Sequence, residues 1–265
     1  MRSLKEVIST EETDIAMLTE TKGHPPAMEG YTWYSKERKN GKGGGVAIAV
    51  KNELANNTTM PEINEGDEME IIWIKIHKPG KHDMYFGCYY GLQEKAEKEQ
   101  VNTQFEHLKT QVTMIQHKGS VVLAGDFNAK LKCTEPDYLQ ETSRNGKIME
   151  QFLQDTKMEN INYMSKTGRW TRVNRHKTDE RSMIDYIIVN QAGKDSIHGL
   201  EIDEKGTKRL HNPKSESDHN TITVRMTPSF IERERKTITR WKINKDSNWE
   251  TYNTNLKEML KEAED

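Results

Sequence analysis

The longest regular signal in the chain is helical. Between Glu97 and Gln116 apolar side chains fall at Val101, Phe105, Leu108, Val112 and Ile115, spaced four, three, four and three apart. That rhythm predicts one buried stripe with Lys and Glu facing water, a scaffold helix laid on something apolar. A run with a different rhythm follows at once. Ser120-Val-Val-Leu-Ala-Gly-Asp-Phe-Asn-Ala-Lys130 is apolar from Val121 to Ala124, as a strand covered on both faces requires, and breaks at Gly125 into Asp126 and Asn128. Taken alone, those two polar residues are better explained by an Asx turn than by a site.

The rest of the pattern is mostly strands. Leu4, Val7 and Ile8 mark a short amphipathic piece, and Ile15 to Leu18 form an apolar strand with Glu20 just past its end. Gly41 to Val50 is a glycine-rich turn feeding a strand; lacking a Gly-Lys-Ser/Thr ending and a following helix, it predicts a hairpin turn rather than a phosphate loop. Met69 to Ile76 and Met84 to Tyr90 read as adjacent strands joined by a turn at Lys78-Pro-Gly-Lys81. A second helix is predicted over Asn145 to Met158 from Ile148, Met149, Phe152 and Leu153. Short β-like pieces follow at Ile161 to Met164, Arg169 to Arg172, Met183 to Val189 and Ser217 to Arg225. Two of them carry acids: Asp185 interrupts an apolar strand, where a buried carboxylate needs a partner, and Asp218 and His219 stand at the start of the last piece. Many strands, two long helices and no repeat of solenoid length predict a layered α+β sandwich.

Composition narrows the function classes. The 265 residues are 33% hydrophobic and 31% charged, no apolar run approaches a membrane span, and the first residues lack the apolar core of a signal peptide, so an intracellular protein without a membrane partner is expected. Two cysteines, Cys88 and Cys133, exclude a disulfide framework and a thiolate zinc site. Forty basic against forty-two acidic residues leave a net charge of -2, which excludes an indiscriminate polyanion binder. Local distribution matters more. Lys166, Arg169, Arg172, Arg175, Lys177 and Arg181, with His176 among them, face only Asp179 and Glu180. This segment is either a solvated loop or an arm that touches a nucleic-acid backbone. After Met226 the character changes. Residues 228–265 read as a charged linker and an amphipathic helix marked by Trp249, Tyr252, Leu256 and Met259 or Leu260, set apart from a domain over 1–227.

Five motifs occur in one order: Thr19-Glu-Thr-Lys22, Gly43-Gly-Gly-Val-Ala-Ile48, Gly125-Asp-Phe-Asn128, Arg181-Ser-Met-Ile-Asp-Tyr-Ile187 and Ser217-Asp-His219. In this order they resemble the endonuclease/exonuclease/phosphatase superfamily, and most of all the endonuclease domains of LINE-type retrotransposons, relatives of apurinic/apyrimidinic endonucleases. The resemblance covers about residues 4 to 226. It implies a DNase I-like four-layer α/β-sandwich, two packed mixed sheets flanked by helices. It also implies Mg²⁺, with Mn²⁺ as a substitute, held by Glu20 and by Asp218 directly or through water. Asp126 would orient or deprotonate the attacking water, and Asn128 would hold that water and a phosphate oxygen. His219 would contact the phosphate with its tautomer fixed by Asp185, and Tyr90 would hydrogen-bond the phosphate. Hard oxygen donors suit Mg²⁺, and a carboxylate-paired imidazole suits an anionic phosphate.

The implied function is nicking of DNA for target-primed reverse transcription, in the nucleus, alongside a reverse transcriptase domain after Asp265 and the element's RNA. Arg240-Trp-Lys and Asn248-Trp-Glu-Thr-Tyr252 resemble the connector to such a polymerase. Two departures stand out. The family opens with a strand ending in an Asn ligand, and Met1 falls after its place, so a domain lacking its first strand is expected. Gly91 follows Tyr90 where relatives commonly have proline. A catalytically impaired mobile-element remnant that at most binds nucleic acid is the competing reading.

Overall fold

The structure is a computed structural model that describes residues 3–25, 27–39, 43–63, 69–77, 82–174, 180–212, 215–227, 251 and 253–256. Two units separate along the chain, residues 1–231 and 232–265. In the first, the elements are α1 (Leu4–Thr10), β1 (Ile15–Thr19), β2 (Tyr31–Lys36), β3 (Val46–Lys51), α2 (Asn52–Ala55), β4 (Thr58–Thr59), β5 (Glu70–Ile76) and β6 (Asp83–Tyr90). They continue with α3 (Lys98–Ile115), β7 (Gly119–Asp126), α4 (Arg144–Thr156), β8 (Glu159–Asn160), β9 (Arg172–Val173), β10 (Arg181–Ser182) and β11 (Asp185–Val189). Last come α5 (Gln191–Lys194), β12 (Ile197–Ile202), β13 (His211–Asn212), β14 (Ser215–Glu216) and β15 (Ile222–Met226).

A six-stranded sheet in the order β4-β5-β6-β7-β11-β8 is the centre. Its β6–β7 pair is parallel because α3 crosses over between them, and its other pairs are antiparallel. Side-chain alternation then sorts the residues into two cores. Ile71, Trp73, Tyr85, Tyr89, Val121, Leu123, Tyr186 and Ile188 face α3 and α4, meeting Val101, Phe105, Leu108, Val112, Met149 and Phe152. Their neighbours Ile72, Ile74, Phe86, Cys88, Val122, Ala124, Ile187 and Val189 face the other way, onto Val46, Ile48 and Val50 of β3 and Leu200 and Ile202 of β12. The second layer is carried by two antiparallel ladders, β1-β3-β2 and β12-β15. Two packed sheet layers with α3 and α4 on one face make the layered α+β sandwich expected from the sequence.

Local chemistry explains the element ends. Ser143 caps α4 by accepting the Gly146 N–H, and Lys157 stops it in a left-handed conformation. β2 and β3 form the predicted hairpin, and Gly43, Gly44 and Gly45 in its turn all have positive φ. The turn at 78–81 between β5 and β6 lies outside the described residues. Ile161 to Met164 is not a strand. Asn160 accepts the Asn162 N–H, the chain tightens into a 3₁₀ turn over Asn162–Met164, and the Asn162 side chain takes the place of a pairing backbone. It donates to Asp185 O and accepts from Ile187 N–H. The final strand begins at Ile222, so Asp218 and His219 lie in the loop before it. Among the described residues no helix is long and apolar enough to cross a membrane. In the second unit Thr251 and residues 253–256 are helical, whereas Trp249, Tyr252, Met259 and Leu260 lie outside the described residues.

Gly125 is the tightest point of the frame. Its φ is +145°, and a Cβ there would stand 1.9 Å from the Tyr89 carbonyl oxygen on the parallel neighbour. Gly125→Ala is therefore expected to cost about 2–4 kcal/mol, read as a lowered denaturant midpoint, with strain the cause. A change below about 0.5 kcal/mol, the usual surface effect, would show that β6 and β7 do not approach this closely.

Candidate active site

Register brings the site together before any loop contributes. Tyr90 on β6 pairs with Asp126 on β7, and Asp126 pairs with Asp185 on β11. All three share the parity of Phe86, Ala124 and Ile187, so they form a row at the strand ends on the face toward the second layer. The row continues one strand further, since Glu70 on β5 pairs with Tyr90. Glu70 shares its parity with Ile72 and Ile74.

Two carboxylates directly opposite one another repel, and here both are withdrawn from water. The Asp126 side chain is 5% exposed and that of Asp185 14%. The loop before β15 supplies the cation. His219 Nδ1 lies 2.9 and 3.0 Å from the two Asp185 oxygens, and its Nε2 lies 4.0 Å from Asp126 Oδ2 and 3.8 Å from Asp218 Oδ1. One ligand atom from each of Asp126, Asp185 and His219 falls within 4.8 Å of the others. Burial, and after it the Asp185 charge, pushes the Asp126 carboxyl up to about 8. Burial alone would depress His219, but Asp185, with Asp126 and Asp218, reverses this and raises the imidazole to about 9. At neutral pH His219 is then an imidazolium with Nδ1–H engaged by Asp185 and Nε2–H directed toward the acids.

The Asx turn and the site turn out to be the same object. Asp126 Oδ1 accepts the Asn128 N–H at 2.8 Å, and Asn128 sits at φ +47°. Asn128 Nδ2 donates to Gly91 O, and its own carbonyl is held by the fully buried Asn145. Glu20 follows β1 at φ +54°, and Tyr90 Oη donates to its Oε1 at 2.6 Å. Glu20 acts electrostatically on Asp126 and on Tyr90, whose phenol is pushed up first by burial and then by this hydrogen bond. Asp218 is ion-paired to Arg172 at 2.8 Å. The basic segment is less bare than its sequence. Arg169 bonds Glu135, Arg172 bonds Asp218, and Arg181 lies 3.7 Å from Glu204. Lys166 is exposed, and Arg175, His176 and Lys177 lie outside the described residues.

The sequence profile of the Endonuclease/Exonuclease/phosphatase family matches residues 1–219. The chain belongs to that family. No curated protein matches it. Among solved structures the chain is similar to the endonuclease domain of TRAS1, a telomere-specific non-LTR retrotransposon, at 18% identity and TM-score 0.60 over 83% of this chain and 89% of that one. It is also similar to the 3′ phosphatase NExo from Neisseria bound to product DNA hairpin, at 17% and 0.62 over 84% and 92%. For AP endonuclease LMAP from Leishmania major the values are 11% and 0.66 over 84% and 81%. At these identities the likeness is one of fold.

Within this endonuclease/exonuclease/phosphatase chain, several residues that hold the site are ones sequence reasoning passed over. Thr171 is fully buried and its hydroxyl accepts the N–H groups of both Ile184 and Asp185. Asn162 holds the Asp185 carbonyl. Asn162 is a polar residue inside a short apolar piece, the same signal that singled out Asp185, whereas Thr171 stands between Trp170 and Arg172 without that signal.

The raised groups give stability a sign. A histidine at about 9 in the fold, against its ordinary 6.5, contributes stability that is fully present below pH 6.5 and lost as pH rises through 9. Asp126, raised to about 8, acts in the same direction: its folded form prefers the proton, so stability falls as pH climbs from its ordinary 3.8 toward 8. In chelator, the melting temperature is expected to fall between pH 6.5 and 9, with a shallower slope in His219→Gln. A flat or rising profile over that range would contradict the arrangement.

Proposed function

We propose that this chain is a Mg²⁺-dependent phosphodiesterase that nicks DNA and leaves a 3′-hydroxyl from which a reverse transcriptase could prime. The observation that carries the reading is the cluster of Asp126, Asp185 and His219 at the strand ends. Charge supports the cation. Among the described residues Glu20, Glu70, Asp126 and Asp185 stand around Arg38 and His219, while Asp218 is matched by Arg172, so acidic side chains outnumber the basic ones beside them. Oxygen donors of this kind suit Mg²⁺ and accept Mn²⁺. Glu20, beside Asp126, would hold the ion, with Asp218 left to its water shell. Bound there, Mg²⁺ would polarise a phosphoryl oxygen and offset charge on the leaving oxygen.

The side chains divide the remaining work. Asp126, with Oδ1 engaged by the Asn128 N–H, offers Oδ2 to the attacking water, and a carboxyl raised toward neutrality is suited to take its proton. With Nδ2 engaged by Gly91 O, Asn128 has Oδ1 to orient that water. His219, fixed through Nδ1 by Asp185, presents Nε2–H to a phosphoryl oxygen, and this preorganised charge is worth more in a site partly withdrawn from solvent. Tyr90 already donates to Glu20, so its contribution here is to orient that carboxylate. DNA as substrate draws on the retrotransposon endonuclease and the DNA-bound phosphatase among the similar structures. A following reverse transcriptase, element RNA and a nuclear site of action belong to the same reading and rest on the tail between Arg240 and Tyr252. Of the candidate basic contacts, Lys166 is exposed, Arg169, Arg172 and Arg181 each have a carboxylate beside them, and Arg175 lies outside the described residues.

The test is conversion of supercoiled plasmid to the nicked circle in Mg²⁺. Loss of the proton acceptor in Asp126→Ala is expected to slow nicking by about 10²–10⁴-fold. Wild-type protein that nicks no faster than Asp126→Ala would sink the assignment. Salt-sensitive DNA binding without a Mg²⁺-dependent thermal shift would then favour a non-catalytic binding domain.

A further inference from the structure

The fourth member of the row has no part in the chemistry above. Glu70 is the β5 residue opposite Tyr90, and its side chain is 13% exposed. A carboxylate in that position adds repulsion to a site already crowded with acids, so something must hold it. Arg38 does so from beyond the end of β2. Its Nε donates to Glu70 Oε1 at 2.6 Å, and its Nη2 lies 2.5 Å from the same oxygen. The other oxygen, Oε2, accepts the Gly45 N–H at 2.5 Å. The same guanidinium stands 5.8 Å from the centre of the Tyr90 ring, a cation–π distance.

These contacts lead to Glu20 by two routes. Through the ring, Arg38 packs on Tyr90, and Tyr90 Oη donates to Glu20 Oε1. Through the backbone, Glu70 fixes the glycine turn, whose carbonyls receive the two amides that follow Glu20. Thr21 N–H donates to Gly45 O, and Lys22 N–H donates to Gly44 O at 2.7 Å. Glu20 and Lys22 both have positive φ, a conformation a non-glycine residue keeps only when its surroundings impose it. The turn in turn has no room for side chains: a Cβ on Gly44 would meet both Arg38 and Glu70, and one on Gly45 would stand 2.6 Å from Thr21 Oγ1.

We propose that Arg38 and Glu70 form a positioning pair that fixes the carboxylate of Glu20, through Tyr90 on one side and the Gly44–Gly45 turn on the other, and thereby sets the affinity of the site for its divalent cation. This rests on the reading of Glu20 as a metal-holding residue. Neither Arg38 nor Glu70 touches substrate in this scheme. The pair acts by holding Glu20 in its one strained conformation before the ion arrives, so that the ion does not have to impose that conformation itself.

The test uses the whole chain with Glu70→Gln, Arg38→Lys and Arg38→Ala, and two readouts. The first is amide hydrogen exchange at Thr21 and Lys22 without metal. Glu70→Gln and Arg38→Ala are expected to exchange at least tenfold faster there, with amides of α3 unchanged, and Arg38→Lys to fall between them and wild type. The second is a Mg²⁺ titration followed by calorimetry, in which the same two variants are expected to bind about tenfold more weakly, with any nicking recovered at higher Mg²⁺. Unchanged exchange at Thr21 and Lys22 in both variants would overturn the proposal. So would faster exchange with unchanged Mg²⁺ affinity, which would leave the pair a structural brace alone. If wild-type protein binds no Mg²⁺, the metal reading of the site fails first, and the affinity half of the proposal falls with it while the exchange data still judge the pair.

Discussion

Asp126 and Asp185 face one another across two central strands of the main sheet, and most of the unusual features nearby answer that one repulsion. A fold does not place two carboxylates in register at a buried sheet end unless something offsets the cost. His219 offsets part of it from a loop, and its imidazole is held against Asp185 by both oxygens. The Asn128 amide offsets another part by donating to Asp126 Oδ1. Thr171 and Asn162 fix the Asp185 backbone, so the carboxylate cannot relieve the repulsion by moving out. What is left is an acid raised toward neutrality and a base raised above it, side by side. That pairing suits the proton handling proposed for the site.

Where the site lies follows from parity. Each central strand gives alternate residues to the helix side and to the second layer, so the row of Glu70, Tyr90, Asp126 and Asp185 must open on the seam between the sheets. The helix face is sealed by aromatic packing, Tyr89 against Phe127 and Phe105 against Phe152, and gives the strand ends a rigid backing. Residues from the end of β1, from the turn before β3 and from the loop before β15 then reach the row from the other side. Rigid strands set the acids, and connections bring the partners, a common division in enzyme folds.

Much of this was legible in the sequence because the site residues violate their local pattern. Asp126, Asp185 and His219 each break or border an apolar strand, and a polar residue there stands out. The choice between an Asx turn and a functional loop at Asp126 was a false one, since the turn bond is what leaves the second carboxylate oxygen directed at His219. Glu70 was missed for the opposite reason: at the first position of a strand a glutamate looks solvent-facing, and only the β5–β6 register shows that it stands beside Tyr90. The strand Ile197–Ile202 was missed because Ser196, His198, Gly199 and Glu201 dilute its alternation, and its partner β15 is what makes it a strand. Ile161 to Met164 misled because an asparagine side chain can replace backbone pairing, which no periodicity reveals. The basic segment misled in part because sequence counts charges and not their partners.

Arg38 and His219 each sit on a carboxylate of the row at its two ends, Glu70 and Asp185, while Tyr90 and Asp126 between them have no cation of their own within hydrogen-bonding distance among the described residues. Each end pair is partly buried, and desolvation offsets part of its attraction. Its effect is also geometric. Fixed charges at both ends hold the acids in place and confine the uncompensated negative charge to the middle of the row and to Glu20 beside it. The cation proposed for the site would then be drawn to that point, which the order of residues along four paired strands determines.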